Sequence, residues 1–292
     1  MSDPIRLRAG GVHEHYNFIW HRPETVRCWA HAGVAVDWTD YPGGTGAMVA
    51  ALEAGELDLA PVLTEGAVAA AARGATIRII STYVESPLRW GVHVAEAHPA
   101  QSIDDLRGTT FAISREGSGS QLMAAVMAEQ RGWPLESLKF ATVGDLEGAR
   151  AALPRGEADG FLWELYTTKH LVDSGEWRRI GVVTTPWPSF VIVAAERVIE
   201  DEPEALLKVL RCLDAAFAAV RRSDAEAFIA SRYELLPEDV ASWRSQTEWR
   251  LDWRHPEQDL CPVVGHLVKA GQLEARVDPA TVSARLLDKL RE

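Results

Sequence analysis

The strongest constraint on the fold is a short internal repeat. Ala50-Ala51-Leu52-Glu53-Ala54-Gly55-Glu56-Leu57-Asp58 returns 101 residues later as Ala151-Ala152-Leu153-Pro154-Arg155-Gly156-Glu157-Ala158-Asp159. Each copy reads as the last turn of a helix, a glycine that closes it in the left-handed conformation, and the start of a short apolar strand. The strands are predicted over Leu57 to Leu63 and Gly160 to Trp163. A chain that repeats a helix-to-strand junction at this distance is built from two similar units.

Strand and helix patterns alternate around each copy. Strands are predicted at Arg6 to Ala9, Ala35 to Trp38 and Ile77 to Ile80, with helices at Thr45 to Ala54 and Glu65 to Arg73. In the second half Thr110 to Ile113 and Lys139 to Val143 read as strands, and Ser120 to Gln130 and Leu146 to Leu153 as helices. Such alternation specifies an α/β fold with mostly parallel sheets flanked by helices. From Pro203 onward the pattern is helical: Leu206, Leu207, Leu210, Leu213 and Phe217 recur at steps of one helical turn, and further helical patterns run to Leu290. Proline-bearing crossings at 82–90 and 184–189 suit strand-like hinges. The expected organisation is a first lobe of 1–85 plus 190–292 and a second lobe of 86–189.

Composition narrows the function. With 30 basic and 42 acidic residues in 292, the net charge of −12 disfavours attraction to nucleic acid or an anionic membrane surface. No apolar run reaches the ~18 residues of a spanning helix, and Met-Ser-Asp-Pro-Ile-Arg lacks a signal peptide's apolar core. The expectation is a cytoplasmic chain, or a periplasmic one only if an export signal has been removed. Cys28, Cys212 and Cys261 are widely spaced with no CxxC pair, so all three are read as buried thiols.

In open parallel sheets ligands bind beyond the carboxyl ends of the strands. That rule selects His13, His15 and Tyr16 after the first strand, Gly44, Thr45 and Gly46 after the second, and Thr64 and Glu65 after the third. In the second lobe it selects Ser114, Gly117, Ser118, Gly119 and Ser120, then Trp163 and Glu164, with Ser86 and Trp187 on the crossings. All are expected to face one cleft. The Gly-rich turns could hold a carboxylate, sulfonate or phosphate on backbone N–H groups, with Thr45, Ser118 and Ser120 adding hydroxyls; equally, each is a tight turn with a serine or threonine cap. His13 and His15, two apart, fall on one side of an extended loop, where a hydrogen bond from His15 to a ligand is preferred to a metal. Trp163 and Trp187 offer flat rings for stacking, although packing explains any single tryptophan. Glu65 and Glu164 are either an acid and base pair, ligand contacts or solvated carboxylates at helix starts. The run Arg221-Arg222 and the stretch Glu200-Asp201-Glu202 read as solvated helix ends.

No phosphate-binding Gly-Lys-Ser/Thr, GxGxxG, G-x-S-x-G or H-E-x-x-H pattern is present. A non-catalytic binder without cofactor or metal is therefore expected. The alternative is an enzyme with His15 and one of Glu65 or Glu164 as acid and base, for which the resemblance described next implies a small pyrimidine, sulfonate, sulfinate or aromatic carboxylate as substrate.

Gly43-Gly-Thr-Gly46, the G-E-x-D turn at 55–58, Thr64-Glu65, Ser114-Arg-Glu-Gly-Ser-Gly-Ser120 and Trp187-Pro-Ser189 resemble the type 2 periplasmic-binding-protein superfamily, in its branch for thiamine pyrimidine precursors, alkanesulfonates, taurine and nitrate. Ser81 through Trp90, Phe161 through Lys169 and Thr185 through Ser189 resemble, within it, a Candida protein and bacterial relatives that lack an export signal. The resemblance covers about residues 5–195. It implies two lobes closing over a small-molecule ligand, with an ABC permease or another protein as partner, and it supports His15, Thr45, Ser118, Ser120, Trp163 and Glu164 as ligand contacts.

Overall fold

The computed structural model describes residues 3–220, 225–252 and 260–286. In chain order the elements are β1 (Ile5–Gly11), α1 (Pro23–His31), β2 (Val34–Asp40), α2 (Gly44–Glu53), β3 (Leu59–Leu63), α3 (Thr64–Ala72) and β4 (Ile77–Ala95). There follow β5 (Thr110–Ile113), α4 (Gly119–Gln130), β6 (Lys139–Thr142), α5 (Leu146–Ala152), β7 (Gly160–Glu164), α6 (Lys169–Asp173) and β8 (Trp177–Ala195). The helical remainder is α7 (Glu196–Asp201), α8 (Pro203–Val220), α9 (Ala225–Tyr233), α10 (Pro237–Arg244), α11 (Cys261–Lys269) and α12 (Pro279–Leu286). The α/β class expected from the alternation is the observed one.

The chain divides into two compact units: Met1–Ser86, Trp187–Cys261 and Asp278–Glu292 form unit 1, and Pro87–Pro186 with Pro262–Val277 form unit 2. The strands β4 and β8 each carry the chain from one unit to the other. The sequence reading ran the first lobe through to residue 292, whereas α11 groups with unit 2. There Glu129 of α4 meets His266 at 2.7 Å and also pairs with Lys269, and Gln272 Nε2 donates to the Ser118 carbonyl.

The two units share one plan. In unit 1 β1 pairs in parallel with β2 and β3, and β3 pairs antiparallel with β8; in unit 2 β5 pairs in parallel with β6 and β7, and β7 pairs antiparallel with β4. The repeat sits at the same junction of each. Gly55 and Gly156 take φ of 72° and 68°, so only glycine adopts them without strain. The next residue turns its N–H back into the helix, Glu56 to the Ala51 carbonyl and Glu157 to that of Ala152. The aspartate two positions further then bonds the neighbouring strand twice. The Asp58 N–H donates to the Arg8 carbonyl while its carboxylate accepts the Arg8 N–H at 2.7 Å. Likewise the Asp159 N–H donates to the Thr110 carbonyl while its carboxylate accepts the Thr110 N–H at 2.8 Å. Register between the central strand and its neighbour is thereby set at the amino end.

Charge compensation differs between the copies. Asp58 is buried and takes Arg8 and Arg197 guanidinium groups at 2.7 Å each, while the side chain of Asp159 is 35% exposed and meets His98 at 3.3 Å. Burial alone would raise the Asp58 pKa, but the bonds from Arg8 and Arg197 outweigh it and hold the carboxyl below its ordinary value.

The core follows the sequence pattern. Leu7, Ala9, Leu59, Val62, Val191 and Val193 are buried in unit 1, and Ala112, Phe161, Leu171 and Trp177 in unit 2. Leu206, Leu207, Leu210, Leu213 and Phe217 form the buried stripe of α8, as their spacing predicts. Glu200 and Asp201 are exposed at the end of α7, whereas Arg221-Arg222 and the last predicted turns to Leu290 lie outside the described residues.

The cysteine reading is corrected. Cys28 of α1 and Cys212 of α8 form a disulfide across 184 residues of sequence, with Cα atoms 5.7 Å apart, and Cys261 is exposed. The two helices pack together, with Trp29 Nε1 donating to the Val209 carbonyl, which brings the two thiols within bonding reach.

Two outcomes check this description. Replacing Cys28 and Cys212 by alanine is expected to cost about 2–4 kcal/mol, with a lower thermal midpoint; an unchanged midpoint contradicts the disulfide's structural role. Asp58→Ala is expected to cost about 2–3 kcal/mol and Asp159→Ala about 1 kcal/mol, because the buried carboxylate leaves more donors unmatched. The Asp58 contribution is present above the ordinary aspartate range and falls away as pH drops through its lowered folded pKa, so the gap between wild type and Asp58→Ala should narrow in acid.

Candidate functional site

In unit 1 the candidate face lies at the carboxyl ends of β1 and β3. After β1 the chain enters a 3-10 turn at His15–His21. Tyr83 Oη donates to the Tyr16 carbonyl at 2.8 Å and accepts Trp20 Nε1 at 3.1 Å, and Asn17 Nδ2 donates to the Val12 carbonyl at 2.9 Å, so buried groups hold the turn. Gly11 makes the close approach possible, since a Cβ there would lie 2.6 Å from the Trp38 ring.

The turn separates the two histidines. His15 is buried edge-on to Trp243 at 4.5 Å and lies 4.7 Å from Tyr16, and desolvation drives its pKa down to about 3, so the ring is neutral at physiological pH. His13 is exposed, 3.4 Å from Asp40 and 5.1 Å from the Tyr233 ring. The expectation that both would lie on one side of an extended loop fails because the helical turn begins at His15 itself. Among the described residues no group of three or more His, Cys, Asp or Glu side chains could hold a metal ion.

Glu65 stands in the first turn of α3, one residue after buried Thr64. Its Oε2 accepts Trp187 Nε1 at 2.8 Å, while Oε1 and the Thr64 hydroxyl are buried with no hydrogen-bond partner. Burial pushes the Glu65 pKa up to about 7, against its own backbone N–H and the Trp187 indole, which favour the ionised form. It is neither a solvated carboxylate nor an ion-pair partner. Trp187 is buried beside it, with its ring nitrogen committed to this bond.

Other expected contacts have structural employment. The Thr45 hydroxyl accepts the Leu63 N–H at 3.2 Å instead of capping α2, and Gly66 lets α3 approach it so closely that a Cβ would sit 2.4 Å from the Thr45 methyl. Gly44 starts α2 at φ 68°, and Gly46 is exposed in its first turn. Ser86 accepts the Glu248 N–H on its hydroxyl and the Ser189 hydroxyl on its carbonyl.

In unit 2 the Ser114–Ser120 turn leads from β5 into α4. Ser118 caps the helix by accepting the Gln121 N–H at 3.5 Å, and Ser120 Oγ accepts the Ser114 N–H at 3.2 Å. The Gly117 N–H donates to Gln121 Oε1 at 2.7 Å, so this donor is taken up within the turn. Gly119 packs on Trp90, where a Cβ would meet the indole at 2.8 Å. Trp90 lies opposite Glu164 in the β4–β7 ladder. Trp163 is half-buried, stacked on Phe161 at 5.3 Å and edge-on to Trp90 at 6.5 Å. Glu164 Oε2 accepts from the Tyr166 N–H and from the N–H and hydroxyl of Thr167, while Oε1 is buried without a partner; burial outweighs these bonds and raises its pKa.

Sequence reasoning missed a buried pair, His93 Nε2 and the Thr168 hydroxyl at 3.0 Å, with His93 lowered to about 4 by burial. No spacing or motif marks it. Tyr83 and Asn17 were likewise missed, because each acts through a backbone carbonyl.

The comparisons agree with this architecture. The Ca3427-like PBP family pattern matches residues 90–183. A protein of Escherichia coli (strain K12) named for aliphatic sulfonate binding is 27% identical over 143 residues, which are 48% of this chain and 43% of that relative, so the match spans less than half of the relative's length. Among solved structures, the Candida albicans CA3427 gene product superposes with a TM-score of 0.87 at 24% identity, covering 97% of this chain and 96% of that one. The periplasmic aliphatic sulphonate-binding protein SsuA of Escherichia coli gives 0.75 at 19% identity, covering 98% and 93%. The chain thus has the periplasmic-binding-protein fold and carries the Ca3427-like PBP pattern over residues 90–183.

Proposed function

We propose that this chain is a solute-binding protein for a small planar or anionic molecule. The observation that carries this reading is the face of unit 1 where β3 ends: Thr64 and Glu65 are buried there with hydroxyl and carboxyl oxygens that lack partners, and Trp187 is locked beside them. Buried polar atoms left unmatched are costly, and a ligand that completes them recovers that cost. In unit 2 the proposed contacts are Trp163, with its half-buried ring, and Glu164. The sulfonate-binding names of the relatives support a solute-binding role, and the ABC permease partner is part of the same proposal.

In the catalytic alternative His15 is poorly suited to its acid or base role. His15 is neutral and enclosed by Tyr16 and Trp243, which suits packing and orientation better than proton transfer near pH 7. The disulfide also bears on location, since such bonds persist in oxidising compartments, and this favours the periplasmic alternative over the cytoplasmic one.

Thermal unfolding against sulfonates, nitrate, pyrimidines and aromatic carboxylates tests the reading. A ligand at 100 times its dissociation constant adds about 2.7 kcal/mol, which should raise the midpoint by several degrees. A midpoint unmoved by every class contradicts solute binding of this kind. With a ligand in hand, Trp163→Ala should weaken binding by about 1–3 kcal/mol, and unchanged affinity in calorimetry removes the stacking role.

A further inference from the structure

Resting on the solute-binding reading, we propose that His93 is a positioning residue for Glu164: through the Thr168 hydroxyl it holds closed the turn from Glu164 to Thr168, and with it the Glu164 carboxyl at the end of β7. The chain of contacts is continuous. Thr168 Oγ1 donates to the Glu164 carbonyl at 3.0 Å and lies 3.0 Å from His93 Nε2. The backbone bond across the same turn, from the Thr168 N–H to the Glu164 carbonyl, is longer at 3.4 Å, so the side chain makes the tighter closure. Inside the closed turn the Tyr166 and Thr167 N–H groups reach Glu164 Oε2 at 3.0 and 2.7 Å. Opening the turn takes these donors away and frees the carboxyl to swing. A hydroxyl carries one proton and a carbonyl only accepts, so the Thr168 proton is committed to Glu164 and the bond to His93 needs a proton on Nε2.

The ring is built in for this one bond. His93 lies opposite Phe161 in the β4–β7 ladder and is fully buried. Residues two apart on a strand share a face, and Gly91 leaves the space into which the ring folds: a Cβ there would lie 2.4 Å from His93 Cε1 and 2.6 Å from Nε2. The buried Trp177 ring lies 5.4 Å away. Burial, with Arg179 adding to it, lowers the His93 pKa to about 4 against the Phe161 and Gly91 carbonyls, so the ring is neutral at physiological pH and carries a single N–H. With that proton on Nε2, the Thr168 oxygen is matched and Nδ1, which has no hydrogen-bond partner, is a bare acceptor. With the proton on Nδ1, the ring would bury an unpaired donor, and the Thr168 hydroxyl would face two acceptors with one proton.

Two measurements on the full-length chain test this. Nitrogen-15 spectra of histidine-labelled protein at neutral pH, with His93 assigned by through-bond correlation, read the tautomer, and the expected one carries its proton on Nε2. Amide hydrogen exchange in wild type, Thr168→Val and Thr168→Ser reads the turn. Thr168→Val keeps the shape and removes the hydroxyl, so the Tyr166 and Thr167 amides should exchange about tenfold faster, the worth of one hydrogen bond. The amides of Phe111 and Ile113 in β5, which lies between β6 and β7, should keep their wild-type rates. Thr168→Ser, which retains the hydroxyl, should restore slow exchange in the turn. A proton on Nδ1, turn amides unmoved in Thr168→Val, or β5 amides accelerated as much as those of the turn would each overturn the positioning role. If Thr168→Val does not fold, the wild-type tautomer decides alone. Neither measurement uses a solute, so the positioning role fails or stands apart from the solute-binding reading, which its own thermal screen judges.

Discussion

Two aspartates decide where everything else goes. Asp58 and Asp159 each sit three residues after a helix-closing glycine and clasp the neighbouring strand through both backbone and side chain. A one-residue slip in a strand would move every side chain to the other face, so a bond pair that fixes register at the amino end also fixes what emerges at the carboxyl end. In unit 1 that strand delivers Thr64 and Glu65 to the start of α3; in unit 2 it delivers Trp163 and Glu164. The internal repeat is thus the trace of a mechanical requirement met twice.

The two ends of β3 are electrostatically unlike. At the amino end Asp58 is matched by Arg8 and Arg197, two guanidinium groups that reach solvent and leave the carboxylate ionised. At the carboxyl end Glu65 has a single indole donor and no cation, so desolvation dominates and the proton stays to about neutral pH. The same residue class does opposite work seven positions apart. Glu164 repeats the theme in unit 2, with one oxygen held by Tyr166 and Thr167 and the other left without a partner.

Much of the fold was legible because it depends on local rules. Left-handed glycines at 55 and 156 and apolar strands bounded by turns locate β1, β2, β3, β5, β6 and β7 and the helices α2 to α5 to within a few residues, whereas β4 runs on to Ala95 and β8 spans Trp177 to Ala195, well beyond the strand-like crossings read from the prolines. Less of the site was legible. The Cys28–Cys212 bond joins helices far apart in sequence, and neither spacing nor composition announces it. The burial of His15 follows from a 3-10 turn pinned by Tyr83, a residue on a different strand. The Ser114–Ser120 turn resembles an anion cradle in sequence, but Gln121 reaches back to take the Gly117 N–H, and nothing in the glycine spacing reveals that competitor. Whether a polar group is already partnered is a long-range property, and it sets Thr64, Glu65 and Glu164 apart from candidates such as Thr45, Ser118 and Ser120.

The central claim is that the face at the end of β3 holds a buried, partly unmatched carboxyl group that changes protonation near neutrality. Infrared difference spectra of wild type against Glu65→Gln, recorded from pH 5 to pH 9, test it directly. A protonated-carboxyl C=O band lost in Glu65→Gln and titrating with a midpoint near 7 is the expected result. A Glu65 that is already ionised at pH 5 would contradict the burial and the polarity assigned to this face.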